Sequence, residues 1–136
     1  MDDLALTALE YLHNRGKPRG RDAVMFDIDD TLIRPSGEVI APITALARRS
    51  KAMGYKVIII TARPHWVPGN VEYTKQNLRD LEITWDRLAF CQPEEKGDVK
   101  REMGYNFVLS VGDMPWDLTD SVCWLNTSTM RCNCGN

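Results

Sequence analysis

The stretch Ala23-Val24-Met25-Phe26-Asp27-Ile28-Asp29-Asp30-Thr31 decides the reading of this chain, because an unbroken apolar run stops there in a cluster of carboxylates. Consecutive apolar residues without alternation fit a strand of a parallel sheet covered on both faces. Downstream, Lys56-Val57-Ile58-Ile59-Ile60 is β-branched almost throughout and runs into Thr61. Leu88 to Cys91, Asn106 to Val111 and Val122 to Leu125 add further strand candidates, making five. Helical spacing fills the intervals. Pro42 opens a helix with Ile43, Leu46 and Ala47 on one side, closed by Gly54. Asn70 is an N-cap for a second helix whose inner stripe is Val71, Thr74, Leu78 and Leu81. Glu94 to Met103 is a third, stopped by Gly104. Upstream, Ala5, Ala8, Leu9 and Leu12 mark an amphipathic helix within residues 1–16, and Lys17 to Arg21 form a connector.

Strands alternating with helices imply right-handed crossovers and a Rossmann-like, three-layer α/β sandwich around a five-stranded parallel sheet. The 136 residues suit one domain, with a core over 22–126, the N-terminal helix before it and a tail over 127–136. In such sheets the binding crevice lies beyond the carboxyl ends of the strands, where strand order reverses. Asp27 and Asp29 end the first strand, Thr61 ends the second and Gly112-Asp113 follows the fourth. One Asp in such a place is commonly a cap or turn residue. Three strands delivering carboxylates and a hydroxyl to one edge point instead to a site.

Composition narrows the classes of partner. A formal charge of −2 and a pI near 5.7 give no global basic field, so a nucleic-acid partner would need a local patch. No apolar stretch approaches the roughly 18 residues a spanning helix requires, and Asp2 and Asp3 do not make a basic signal-peptide head. A cytoplasmic location without membrane attachment is the expectation. Cys91 and Cys123 sit in apolar runs and read as buried thiols, and the four cysteines do not form a two-pair zinc set. Cys132 and Cys134 read as exposed thiols on a frayed terminus, with soft-metal binding or oxidation as alternatives.

Asp27-Ile28-Asp29-Asp30-Thr31, Thr61-Ala62-Arg63, Lys96 and Gly112-Asp113-Met114-Pro115-Trp116-Asp117 together resemble the four motifs of the haloacid dehalogenase superfamily of phosphohydrolases. The resemblance runs from Ala23 to Leu125. Thr74-Lys75-Gln76-Asn77-Leu78 and Val111 to Leu118 are similar to the acid-phosphatase branch that includes plant vegetative storage proteins, subfamily IIIB. The stretch from Gly54 to Arg63 is also similar to the phosphatase half of polynucleotide kinase-phosphatases. The resemblance implies a phosphatase whose bound Mg²⁺ is held by Asp27, the backbone carbonyl of Asp29, and Asp113. Asp117 would steady metal-bound water or the lysine, or serve simply as a helix N-terminal acid.

The residue types suit that chemistry. Phosphate monoesters hydrolyse extremely slowly in water, and a covalent intermediate divides the barrier. Asp27 is placed as the nucleophile and Asp29 as the acid that protonates the leaving oxygen and later deprotonates water. Two carboxylates beside a phosphate dianion repel by roughly 4 kcal/mol per close pair at an effective dielectric of about 20, which calls for a hard divalent cation. Thr61 offers a hydroxyl and backbone amide to the phosphate, Ala62 and Arg63 follow it toward the substrate, and Lys96 supplies a point charge. Lys100, one turn later, is the alternative lysine, and Arg63 either touches substrate or braces the loop.

Asp27 to Thr61 and Thr61 to Lys96 each span about 35 residues, with no room for a cap domain. An open site suits a large phosphorylated substrate, nucleic acid included, or an oligomer in which a neighbouring subunit roofs the pocket. A nucleic-acid end phosphatase is the narrower alternative, with Trp66 and Trp116 as stacking residues or packing anchors. Trp85 reads as a core residue, and His13 and His65 as surface residues. Two other classes compete: a phospho-receiver module, disfavoured because Cys91-Gln92 follows the third strand, and an inactive storage or interaction protein.

Overall fold

The computed structural model describes residues 1–134. Its elements, in order, are α1 (Asp2–Asn14), β1 (Asp22–Phe26), α2 (Ala41–Ala52), β2 (Lys56–Thr61), α3 (Asn70–Asp80), β3 (Arg87–Phe90), α4 (Lys96–Met103), β4 (Asn106–Gly112), α5 (Pro115–Leu118), β5 (Cys123–Asn126) and β6 (Arg131–Cys132). They form one sheet of order β3-β2-β1-β4-β5-β6. The first five strands are parallel, and β6 runs antiparallel to β5. No described helix is long and apolar enough to cross a membrane.

The unbroken apolar runs arise because both faces of the sheet are covered. Successive strand side chains point to opposite faces. Val24, Phe26, Val57 and Ile59 pack with α1, α2 and α3, while Ala23, Met25, Ile58 and Ile60 pack with Val99 and Met103 of α4. On the first face, Tyr55 is buried with its hydroxyl donating to the Leu12 carbonyl at 2.9 Å and accepting from Arg15 at 3.2 Å. That pair of bonds fastens α1 to the turn before β2.

The third helix departs from its expected start. Asn70 is its first residue and not its cap; Gly69, with a positive φ of 82°, precedes it. The Asn70 side-chain amide instead donates to the Pro64 carbonyl at 2.8 Å and closes the loop that follows β2. The fourth helix is preceded by a single 3-10 turn, Pro93–Glu95, in which the Gln92 backbone amide donates to the Glu95 carboxylate at 2.9 Å.

Residues 127–134 are not a loose tail. Met130 adopts a left-handed φ of 59° and reverses the chain into β6, a sixth strand that the five-strand expectation lacked. Two residues are too few to carry a period-two signal, so this strand had no sequence signature. Its register extends to bring Cys134 opposite Cys123, and the two form a disulfide with a Cα–Cα distance of 5.4 Å. Cys123 is therefore not a free buried thiol, and Cys134 is buried, not exposed. Cys91 and Cys132 are free and half-buried.

A cross-link over an 11-residue separation removes about 3 kcal/mol of loop freedom from the unfolded chain in the chain-entropy model. Cys134→Ser is expected to lower the urea midpoint accordingly and to make it insensitive to reductant. Cys132→Ser is expected to leave both properties as in the parent, and equal midpoints for the three proteins would refute the cross-link.

Candidate active site

Strand β1 has β2 on one side and β4 on the other, so the chain order reverses between β1 and β4. Asp27 and Asp113 lie just past the carboxyl ends of those two strands, at the position where an open α/β sheet leaves a crevice. The Asp27 amide donates to the Val111 carbonyl at 3.0 Å, which holds the acid against β4. One carboxylate oxygen from each of Asp27, Asp113 and Asp117 lies within 4.8 Å of the others.

Lys96 is the one cation inside this group. Buried at the start of α4, it donates to Asp27 Oδ1 at 2.8 Å and to Asp117 Oδ1 at 2.6 Å. Lys100 lies on the same helix face but reaches a different set of oxygens: Ser110 Oγ at 2.9 Å, the Asp117 carbonyl at 2.6 Å and the Thr119 carbonyl at 2.7 Å. The geometry separates the two lysines. Lys96 meets the carboxylates, and Lys100 anchors the segment that carries Asp117.

Asp117 combines both readings open in the sequence. Its Oδ2 accepts the Met114 amide at 3.1 Å and so starts α5, while Oδ1 binds Lys96. Gly112 makes that placement possible, because a Cβ there would lie 2.3 Å from the Asp117 Cβ and 2.5 Å from its Cγ. Thr31, given no role of its own in the sequence, donates to Asp27 Oδ2 at 3.4 Å from a buried position.

Asp29 stands apart from the acidic group. Its two oxygens are held by the Arg63 fork, at 2.8 Å from Nη2 and 3.0 Å from Nε. Arg63 is fixed in turn through Nη1 by Thr74 Oγ1 at 3.2 Å and Asn77 Oδ1 at 2.8 Å. Thr74 and Asn77, noted in the sequence only as part of a resembling run, are thus the anchor of this arginine. Arg63 braces Asp29. Thr61 is buried at the end of β2, with Oγ1 accepting the Arg63 amide at 3.1 Å, and Ala62 is exposed just beyond it. Asp30 takes a left-handed φ of 62°, which Asp tolerates, and its carbonyl accepts the Thr127 hydroxyl at 2.9 Å. The turn before β6 therefore supports the acidic loop.

Trp66 is 64% exposed beside His65, whose ring lies 5.3 Å from it in an edge-on arrangement, and Trp116 is half-buried. Trp85 lies half-buried at the core margin, with the Arg79 guanidinium 5.9 Å from its ring. His13 is exposed on α1.

The electrostatics of the group are those of an anionic crevice short of positive charge. Burial pushes the Asp27 carboxyl up to about 8; Lys96 opposes that rise, and Asp117 and the hydrogen-bonded Asp113 add to it. Burial, together with the Asp117 charge, also raises Asp113. Lys96 is raised because the attraction of Asp27 and Asp117 outweighs its burial. Burial pulls Lys100 down to about 8. Carboxylate oxygens at this spacing, held where they resist ionising, fit a hard divalent cation with oxygen ligands.

Two outcomes follow from this charge balance. Folded Asp27 keeps its proton up to about 8 whereas an unfolded aspartate loses it near 3.8, so the folded form binds the extra proton between those values. Stability of the metal-free protein should then fall as pH rises from 5 to 8, and millimolar divalent cation should restore several degrees of melting temperature at pH 8. A melting temperature flat in pH and indifferent to the cation would contradict this account. Gly112→Ala should displace Asp117, cost about 1–3 kcal/mol in denaturant unfolding and weaken divalent-cation binding in calorimetry.

No protein-family model matches the chain, and no curated protein matches it by sequence. Solved structures do resemble it. A chain of the Pnkp1/Rnl/Hen1 RNA repair complex superposes with a TM-score of 0.57 at 22% identity, over 71% of this chain and 40% of that one. The class C acid phosphatase from Bacillus anthracis gives 0.66 at 16% identity over 88% of this chain, and its tungstate-bound form 0.61 at 17%. This chain spans 65% of that phosphatase's length. At these identities the likeness is one of fold: the chain shares the Rossmann-like α/β architecture of these structures, as its alternation of strands and helices suggested.

Proposed function

We propose that this chain is a Mg²⁺-dependent phosphomonoester hydrolase acting through an aspartyl-phosphate on Asp27. The observation that carries the reading is the clustering of Asp27, Asp113 and Asp117 at the topological switch point, with Lys96 bonded to Asp27 and Asp117 and with Asp29 held by Arg63. Asp27, Asp113 and Asp117 would hold the cation, with the Asp29 backbone carbonyl as a further ligand. When bound, Mg²⁺ neutralises the carboxylates and the phosphoryl oxygens, which lets a dianionic ester approach.

The protein's own groups then divide the work. Asp27 forms a bond from a carboxylate oxygen to phosphorus while the bond to the leaving oxygen breaks. Lys96 and Thr31, both bonded to Asp27, fix its orientation, and the Lys96 charge offsets that of the transferring group. Thr61, with its hydroxyl proton free to turn outward, and the exposed backbone at Ala62 bind phosphate oxygens. Asp29 delivers a proton to the leaving oxygen and takes one from the water that next attacks phosphorus, which returns Asp27 and releases inorganic phosphate. The Arg63 fork engages both Asp29 oxygens, so each proton transfer requires one of those contacts to open.

The β1–β2 and β2–β3 connections each consist of loop and one helix, which fits a capless site open to large or protruding substrates, or to cover by a neighbouring subunit. The same fold occurs in class C acid phosphatase, a likeness that supports the phosphatase reading, and in an RNA repair complex.

The test is a panel of phosphate esters with Mg²⁺ and with chelator. Asp27→Asn should abolish phosphate release with the fold intact by circular dichroism. Asp29→Asn should slow turnover by about 10²–10⁴-fold, and less for esters with good leaving groups, which need no proton. Undiminished release by pure Asp27→Asn protein would exclude Asp27 as nucleophile.

A further inference from the structure

Beside the charged centre lies a separate hollow of about 280 Å³. It is bounded by Asp29, Ile33, Arg34, Asn70, Tyr73 and Asn77 among others, but by none of Asp27, Lys96, Asp113 or Asp117. A group that protonates a leaving oxygen sits between the phosphoryl position and the departing alcohol. A hollow that touches Asp29 and not the phosphoryl-binding acids is therefore placed to receive that alcohol.

Its chemistry is specific. Tyr73, in the first turn of α3, is 62% exposed and lines the hollow, so its ring is open to a ligand there. The Arg63 guanidinium lies 5.8 Å from the ring and is held in place by Asp29, Thr74 and Asn77, so the stack has a fixed backing. Ile33 and Pro35 add apolar surface. Asn70 uses its NH₂ on the Pro64 carbonyl, and Asn77 uses its carbonyl on Arg63. Among the described residues the remaining Asn70 oxygen and Asn77 NH₂ have no hydrogen-bond partner, so the two residues lining the hollow keep one acceptor and one donor unused. Arg34 is engaged only by an exposed contact to Glu38 at 3.6 Å and gives the rim a cation with little to hold it.

We infer that this hollow is the leaving-group subsite and that it selects esters whose alcohol carries a planar ring with a hydrogen-bond donor and acceptor along one edge. Tyr73 stacks on the ring, Asn70 and Asn77 meet its edge, and the volume holds a single ring system with its linker. The inference rests on the phosphohydrolase reading and adds to it residues that choose the substrate without taking part in the bond changes.

The experiment compares three esters of primary alcohols, which share leaving-group chemistry: glycerol phosphate, with no ring; benzyl phosphate, with a ring but no polar edge; and a nucleoside 5′-monophosphate, with both. Values of kcat/KM should rise in that order. Tyr73→Ala should lower the nucleotide-to-glycerol ratio about tenfold, the scale of one aromatic stack, whereas Tyr73→Phe should keep it. In parallel, free nucleoside titrated into the parent protein should shift the Tyr73 backbone and Asn77 side-chain amide resonances, which needs neither turnover nor a variant. Phosphate release with equal kcat/KM for all three esters, or a ratio unchanged in Tyr73→Ala, or no shift at those amides, overturns the subsite alone. No release from any ester by the parent protein overturns the phosphohydrolase reading, and the subsite with it.

Discussion

Three carboxylates crowd together at the end of the sheet, two of them on one buried ammonium, and most of the local architecture holds that imbalance in place. Like charges at such spacing repel by roughly 4 kcal/mol per close pair at an effective dielectric of about 20, so a flexible site would splay apart. Here it cannot. Asp27 is pinned to β4 through its amide, and Asp117 is pinned by the Met114 amide and by Lys96. Lys100 adds a second buried cation behind the first, spent on backbone carbonyls of the segment that carries Asp117. The strain shows in the Asp27 carboxyl, which holds its proton far above the normal carboxylate range. Such perturbation marks a position prepared for a charge that arrives from outside.

The sheet order explains why the imbalance can be built there. Parallel strands end together at one edge, and the reversal between β1 and β4 leaves the two helical layers diverging above it. α4 lies on the face opposite α1, α2 and α3, so Lys96 enters from one side while Arg63, anchored on α3, enters from the other. Buried cation and brace thus come from opposite layers and meet over the strand ends.

Legibility in the sequence followed the strength of the physical signal. The five parallel strands were plain because burial on both faces requires unbroken apolar runs, and Asp27, Thr61 and Asp113 were plain because they end such runs. Lys96 was the lysine named, but Lys100 stayed open as its alternative, since residues four apart share a helix face and only the position of α5 decides which meets the carboxylates. Arg63 was visible but its partner was not: Asp29 is 34 residues away and joins it only in three dimensions. Thr31 and Gly112 stood in plain view without a role, because a hydroxyl contact and a missing methyl have no periodicity. β6 and its disulfide were misread for the opposite reason. A short polar segment with cysteines has the composition of a frayed end, and only cross-strand register brings Cys134 to Cys123.

The support that Thr127 gives to Asp30 and Gly112 bears on the order in which a newly made chain becomes functional. The central strand β1 is synthesised early, yet its second neighbour, β4, emerges some eighty residues later and the bracing turn later still. Until then β1 and β2 present a wide apolar ribbon with one open side, and the acids at its end lack the turn that restrains them. Nascent chains arrested before that point should expose apolar surface, and the acidic loop should be complete only once the turn at Thr127 has emerged.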